Sequence, residues 1–443
     1  EACNFGFRFG DDAEQTVYAL GLDRDGSVFI TGRYNGAMFL GPNVGLSDSS
    51  PNTEEAFLAK LDPQGVPQWI VNPTGVGTTA GVGAAIALGN GLVAWGGGFG
   101  DVADSHDIFI ELRSMSDGAS PMVRGQFGSE FHDEMGALAL SADGQSLYVA
   151  GILRGNGTQY SGCPALGAFD AGNDPNLVVL ALDTVKLGCK WGKTWTGGNH
   201  NPGTIRIAVA GDGHPVVTGA YTSGTLDGTG LPSGDAGFVM KLDSGSGAML
   251  GARSFANVLP LGIAADPSTN RVAVSGVLTG PLTFAGKSAP GPGQSQTANA
   301  ALMGYDGSLA EKWFQPLAGS VGQFCQGISS NESGRFYAGC LHQGSLTLPN
   351  GRILTCPDTD FMCGMLIPLN SLDGTLFSDK AATFGPDQPA KPGATFLTAA
   401  NANALVMGGS WIAPITFPDG TLLSTNGANT DYDVVVGKVA PAP

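Results

Sequence analysis

Charge is scarce in this chain. Asp, Glu, Lys and Arg make up 13% of its 443 residues, about half the usual share. Lys+Arg 21 against Asp+Glu 38 leaves a formal charge of −17, which argues against nucleic acid and anionic membrane surfaces as partners. No apolar run reaches the roughly 18 residues needed to span a bilayer. The longest, Gly81 to Trp95, is interrupted by Gly83, Gly89, Asn90 and Gly91, so no transmembrane segment is expected. No leader stands at Glu1, as expected of a mature chain whose signal has been removed. Catalytic signatures are missing too: there is no G-x-S-x-G, H-E-x-x-H, C-x-x-C or C-x-x-C-H. Ala285-Gly-Lys-Ser288 ends like a phosphate loop, but Pro281 occupies the place of its first glycine. Gly89-Asn-Gly-Leu-Val-Ala94 reads as a hairpin turn, not a dinucleotide fingerprint, and Asp23-Arg-Asp-Gly26 as a turn, not a calcium loop.

Glycine is abundant instead, at 70 residues, about twice the usual share. Because glycine is costly inside helices, this disfavours a helical protein. A hydrophobic content of 42% excludes a disordered chain. The glycines fall in columns. A small or apolar residue followed by glycine ends a strand-like run seven times: Thr31-Gly32, Trp95-Gly96, Ala150-Gly151, Thr218-Gly219, Ser275-Gly276, Ala338-Gly339 and Met407-Gly408. An alternating run joined by a tight polar turn precedes each, as in YALGLDRDGSVFITG, so each unit opens with a β-hairpin. A third strand follows a variable loop, as in AFLAKLD, GFVMKLD and DVVVGKV. A fourth ends the unit; Trp69/Gly75, Trp191/Gly197 and Trp313/Gly319 share the spacing W-x5-G. Four short strands in a repeat of this length describe a propeller blade.

The strands do not come in complete sets. No fourth strand follows DVVVGKV, and an orphan fourth strand, Asn4 to Gly10, opens the sequence. The expected fold is therefore all-β: a single seven-bladed β-propeller of four-stranded antiparallel blades, with the N-terminal strand completing blade 7 and closing the ring. The expected blades are 11–75, 76–128, 129–197, 198–256, 257–319, 320–385, and 386–439 plus 4–10.

Seven cysteines are present. Cys325 and Cys340 are equidistant from the turn Asn331-Glu332-Ser333-Gly334 and would face each other across a hairpin. Cys163/Cys189 and Cys356/Cys363 are the natural remaining pairs, which leaves Cys3 over, free, lipidated or bonded to another molecule. Three local pairs point to an oxidising compartment; the alternative is a cytosolic protein with free thiols.

The blade text, Asp25-Gly-Ser-Val-Phe-Ile-Thr-Gly32, Glu55-Ala-Phe-Leu-Ala-Lys-Leu-Asp62-Pro-Gln-Gly65 and Trp69 through Gly75, resembles the bacterial secreted family of seven-bladed beta-propeller (SBBP) repeats. Gly237-Phe-Val-Met-Lys-Leu-Asp243 in blade 4 matches again, whereas Leu112-Arg113, Gly304-Tyr305 and Ile367-Pro368 depart from the Lys-Leu-Asp core. The resemblance implies a propeller and secretion. It brings no catalytic motif.

In a propeller the loops from strand four to the next strand one, and from strand two to strand three, share a face. Both sets read here as long and polar, which is where binding residues concentrate on a rigid scaffold. Candidate ligand-binding residues at the channel mouth are Asp11, Asp12, Glu14, His132, Asp133, Glu134, His200 and Trp411. Carboxylates in that number suit a hard cation, so calcium is the cofactor considered, against a plain solvated rim. Trp411 suits sugar stacking or packing between blades. The acid ahead of each third strand (Glu55, Asp107, Asp174, Asp235, Asp360, Asp431) reads as a structural part of the repeat. Asn156-Gly-Thr158 and Asn331-Glu-Ser333 are formal sequons, with Asn331 better read as a turn residue. Together these features favour a secreted or cell-surface binding module for an extracellular protein, polysaccharide or surface ligand. Two other readings stay open: a structural subunit that self-assembles, helped by Cys3, and a hydrolase or lyase using the acidic mouth.

Overall fold

The computed structural model describes residues 3–9, 14–47, 54–74, 81–100, 107–118, 120–128, 132–154, 163, 175–196, 200–222, 225–226, 229–230, 236–291, 299–319, 322–331, 333–356, 362–386, 396–411, 415–416, 422–423 and 433–439. The strands form seven four-stranded antiparallel blades, with blade 6 extended by two further short strands. Blade 1, for example, runs inward to outward as Gln15–Leu22, Val28–Tyr34, Glu55–Leu61 and Pro67–Val71. Blade 7 is built from Leu397–Ala400, Leu405–Trp411 and Asp433–Val439, with Cys3–Phe9 as its outer strand. Phe9 opposes Val434 and Gly6 opposes Gly437, so the expected closure is present.

The apolar core is divided into seven clusters, each filling the space between two neighbouring blades. This division explains the strand patterns. Successive side chains point to opposite faces, and in a blade both faces are covered by neighbours. Second and third strands such as Pro215–Tyr221 and Ala236–Leu242 are therefore buried throughout, without alternation.

The seams carry a second set of contacts, all on the face of the 1–2 and 3–4 turns. Lys60 Nζ donates to Met115 O in blade 2 at 2.8 Å, Lys241 Nζ to Gly307 O in blade 5 at 2.6 Å, and Lys438 Nζ to Pro63 O in blade 1 at 2.9 Å. Each is the lysine of the Lys-Leu core or its equivalent, satisfying a carbonyl in the next blade's turn. Blades 3 and 5 have Ala181 and Gly304 at that register. There the outer-strand tryptophan takes over: Trp191 Nε1 donates to Ser244 O at 2.8 Å and Trp313 Nε1 to Ser371 O at 3.1 Å. Trp69, Trp191 and Trp313 lie against Gly118, Gly247 and Gly374, whose φ values are +59°, +68° and +69°. A Cβ at any of the three would stand 2.5–2.7 Å from the indole, so both the backbone and the ring require glycine. Blade 2 departs from the Lys-Leu-Asp text because Arg113 is buried: it pairs with Glu111 at 2.7 Å and donates to Gly118 O, Asn72 O and Thr74 Oγ1.

Three disulfides join Cys163 to Cys189, Cys325 to Cys340 and Cys356 to Cys363, the pairs expected. Cys325 and Cys340 are direct cross-strand partners in blade 6. Cys3 is described through its backbone alone, opposite Val439. The dismissed motifs are turns. Asn90-Gly91 and Ala285-Gly286 have two successive positive φ values, the signature of a type I′ hairpin turn. Asn331 is buried, and its Oδ1 accepts from Ser333 N and Arg335 N, as a turn residue does.

Candidate functional site

Antiparallel order places the 4–1 and 2–3 loops on one face and the turns on the other. The loop face is more structured than the sequence suggests. Second, two-stranded sheets stand in the 2–3 loops of five blades: Ala37–Gly41/Val44–Ser47, Thr225–Leu226/Thr229–Gly230, Leu282–Phe284/Lys287–Ala289, Ser345–Thr347/Ile353–Thr355 and Ile415–Thr416/Leu422–Leu423. Those of blades 1, 5 and 6 lie against their own outer strands and bury Met38, Phe284 and Leu346, the last of which also bridges Gly319 of blade 5. That of blade 7 pairs onto the outer strand of blade 6, Gly385 opposite Thr416. The 4–1 loops are not uniformly long: blades 4 and 5 are joined by Asn257 alone, at φ +62°.

Asp11 and Asp12 lie outside the described residues. Glu14 accepts from Arg33 Nη2 at 3.1 Å, and Glu54, across the same arginine, from Nη1 at 2.6 Å. Burial alone would lower the Arg33 pKa; the carboxylates of Glu54 and Glu14 counter it, and the value stands above the usual one. Burial raises the Tyr18 phenol, so it stays protonated. Blade 3 repeats the arrangement. Glu134 meets Arg154 Nη1 and His132 Nε2, each at 3.3 Å, while buried Asp133 accepts from Arg154 N at 2.9 Å. Glu14 and Glu134 are thus neutralised by arginines at the ends of second strands. Among the described residues no three His, Cys, Asp or Glu side chains converge on a metal-sized site, and Glu14 and Glu134 are already engaged by arginine.

His200 opens the inner strand of blade 4 and is buried, edge-on to Tyr221 and Phe238 at 6.3 and 6.0 Å. Desolvation lowers its pKa to about 4. Its imidazole packs against these rings at the loop-face end of the blade. Trp411 ends the second strand of blade 7 opposite Asp433; its side chain lies outside the described set. Of the acids ahead of third strands, Glu55 accepts from Tyr34 Oη at 2.8 Å and from Asn72 Nδ2 at 3.1 Å, and the Asp107 carboxylate lies on Gly128. Both tie the third strand to the end of the outer one, in keeping with a structural role. Asp174, Asp235, Asp360 and Asp431 lie outside the described residues.

Inner strands of all seven blades line a central cavity of about 490 Å³. Five of them carry a one-residue bulge against the second strand, at Tyr18, Ala84, Gly136, Leu261 and Gln326, and bulges re-aim a side chain. All five line the cavity. Blade 4 has a longer irregularity, with pairing broken between Asn201 and Arg206. A turn closes it: Gly203 N donates to Asn201 Oδ1 and Thr204 Oγ1 to Asn201 O. Arg206 then enters the cavity wall. The site residues missed by sequence reasoning are Arg33, Arg154 and Arg206. The last had a visible signal, an isolated charge in TIRIAVA where the sibling inner strands read YALGL, AAIALG and GALAL.

No family model matches the chain, and no curated protein matches it. Among solved structures the chain is similar to the β-propeller domain of Cps50 (Swd1) from Myceliophteria thermophila, 7% identical with a TM-score of 0.47, covering 98% of this chain and 99% of that one. It is similar to the β-propeller domain of the Trilobed protease from Pyrococcus furiosus, 9% identical at a TM-score of 0.44, over 95% and 99%. It is also similar to an acylaminoacyl peptidase from Pyrococcus horikoshii, 10% identical at 0.46, over 94% of this chain. The chain spans about half of that peptidase, 53%.

Proposed function

We propose that this chain is a secreted or cell-surface binding module that engages an extracellular protein or polysaccharide through its loop face. The observation that carries this reading is the division of labour between the two faces. The turn face holds the ring together, because its lysines and tryptophans are spent on the neighbouring blade's carbonyls. The loop face bears added hairpins, packed down in blades 1, 5 and 6 and paired to the adjacent blade in blade 7. A surface held in place before binding loses little entropy on association. Two large apolar side chains stand out from it on blades 1 and 6, Phe39 at 56% and Ile353 at 58% exposure. The three disulfides and the resemblance to SBBP repeats favour an oxidising, extracellular location, and no described helix is long and apolar enough to cross a membrane.

Site-specific photo-crosslinking tests the reading in the producing cell. A crosslinker at position 39 or 353 is expected to give discrete adducts, and one at exposed Val185 or Met122, off the loop face, to give none. Equal labelling from both groups, or labelling from 185 and 122 alone, would contradict it.

A further inference from the structure

Arg206 is unusual in its setting. In the pairing of inner to second strands it stands opposite Thr218. The corresponding register is filled by Ala19 opposite Thr31, Ala137 opposite Ala150 and Gly262 opposite Ser275 in blades 1, 3 and 5. Blade 4 therefore projects a long cation at a level where blades 1, 3 and 5 carry small residues. Its one described hydrogen bond is from Nη1 to the carbonyl of its own neighbour, Ile205, at 2.8 Å, and no described carboxylate pairs with it. Protein encloses it closely enough that desolvation lowers its pKa to about 10, so it stays charged at neutral pH. Placing a cation there without a counterion is costly, in a protein of net charge −17 whose other mouth arginines have acidic partners.

The cavity walls are graded around it. One register step toward the turn face stand Leu20, Leu138, Ile207 and Ile263. On the loop side lie the protonated Tyr18 phenol and the neutralised Glu134. A volume of about 490 Å³ lies in the range of small-molecule sites, which pair an apolar lining with a few placed polar groups.

We propose that the channel binds a small amphipathic carboxylate, with its acid group on the Arg206 guanidinium and its apolar tail along Leu20, Leu138 and Ile263. A carboxylate can take two parallel N–H donors from the guanidinium fork, and the tail replaces water against leucine and isoleucine. This site goes beyond the loop-face reading and does not depend on it: the crosslinking experiment does not probe the channel.

Isothermal titration calorimetry on the full chain at fixed ionic strength tests the proposal with decanoate, decanol and decylammonium. Decanoate is expected to bind one per chain, at least about tenfold more tightly than decanol, because a charge-assisted pair is gained. Decylammonium is expected not to bind. Arg206→Gln should remove the preference for decanoate over decanol, and Arg206→Lys should keep part of it, since the charge remains without the fork. Ala84→Trp, which fills the bore from the inner strand of blade 2, should abolish binding of both and serves if Arg206→Gln does not fold. Absence of decanoate binding, decanol binding as tightly, decanoate affinity unchanged in Arg206→Gln, or binding retained in Ala84→Trp would each overturn the proposal.

Discussion

His200 and His342 are both buried, and desolvation lowers each pKa from 6.5 to about 4. A base whose folded pKa is depressed binds fewer protons folded than unfolded between those two values. Stability is therefore highest above about pH 6.5 and is lost as the pH falls toward about 4. The loss is at most about 3–4 kcal/mol per histidine at 1.36 kcal/mol per unit. Thermal unfolding followed from pH 7 to pH 4 should show a falling midpoint in the parent and a flatter profile in His200→Gln/His342→Gln. A parent profile as flat as the variant's would show that burial does not depress these imidazoles and that they titrate alike in the folded and unfolded chain. Arg206 shows what a single residue hides from column comparison. Lining up repeats finds what recurs, such as the Thr-Gly ends or the Lys-Leu core, and passes over a residue that occurs once. Arg33 and Arg154 escaped for a related reason, because the acids drew attention while their partners stood at the ends of other strands.

Within the elements, the four-strand blade and the disulfide across Cys325 and Cys340 were readable because both follow from local spacing. The extra hairpins were not, since strands of two to five residues are too short for alternation to register. Their signal appears only when loops are set side by side: AMFLGPNVGL, PLTFAGKSA, SLTLPNGRIL and PITFPDGTLL. The equal spacing of Trp69, Trp191 and Trp313 likewise marks a two-blade period, in which an odd blade's tryptophan rests on an even blade's turn glycine. Gly374→Ala tests that contact. Its Cβ would fall 2.5 Å from Trp313 at φ +69°, whereas Gly351, at φ +82°, has open space around it. Both substitutions meet the left-handed penalty of roughly 1–2 kcal/mol, so Gly374→Ala should cost about 1–3 kcal/mol more than Gly351→Ala for the displaced indole. Equal unfolding free energies in urea for the two would remove the tryptophan–glycine contact from the account.

At the scale of the whole molecule, the ring has seven seams, six between blades consecutive in the chain and one that brings its two ends together. The seam between blades 7 and 1 buries Phe9 with Val17, Val434 and Val436. It also carries Val17 N to Ser410 Oγ at 2.8 Å, Asn401 Nδ2 to Asp23 O at 2.6 Å and the lysine contact of Lys438. Arg8 and Asp433 form a shielded ion pair beside it; breaking such a pair leaves a buried charge. Both binding readings need this closure, because an open ring would neither fix the loop face nor keep a continuous channel wall. The most direct test is the thermal unfolding midpoint of the chain lacking Glu1 to Gly10. Removing the outer strand exposes the edge of Asp433–Val439, and an open apolar edge templates pairing with other chains. The account predicts a fall of more than about ten degrees, accompanied by aggregation. A truncated protein that stays monomeric and melts within a few degrees of the parent would contradict it.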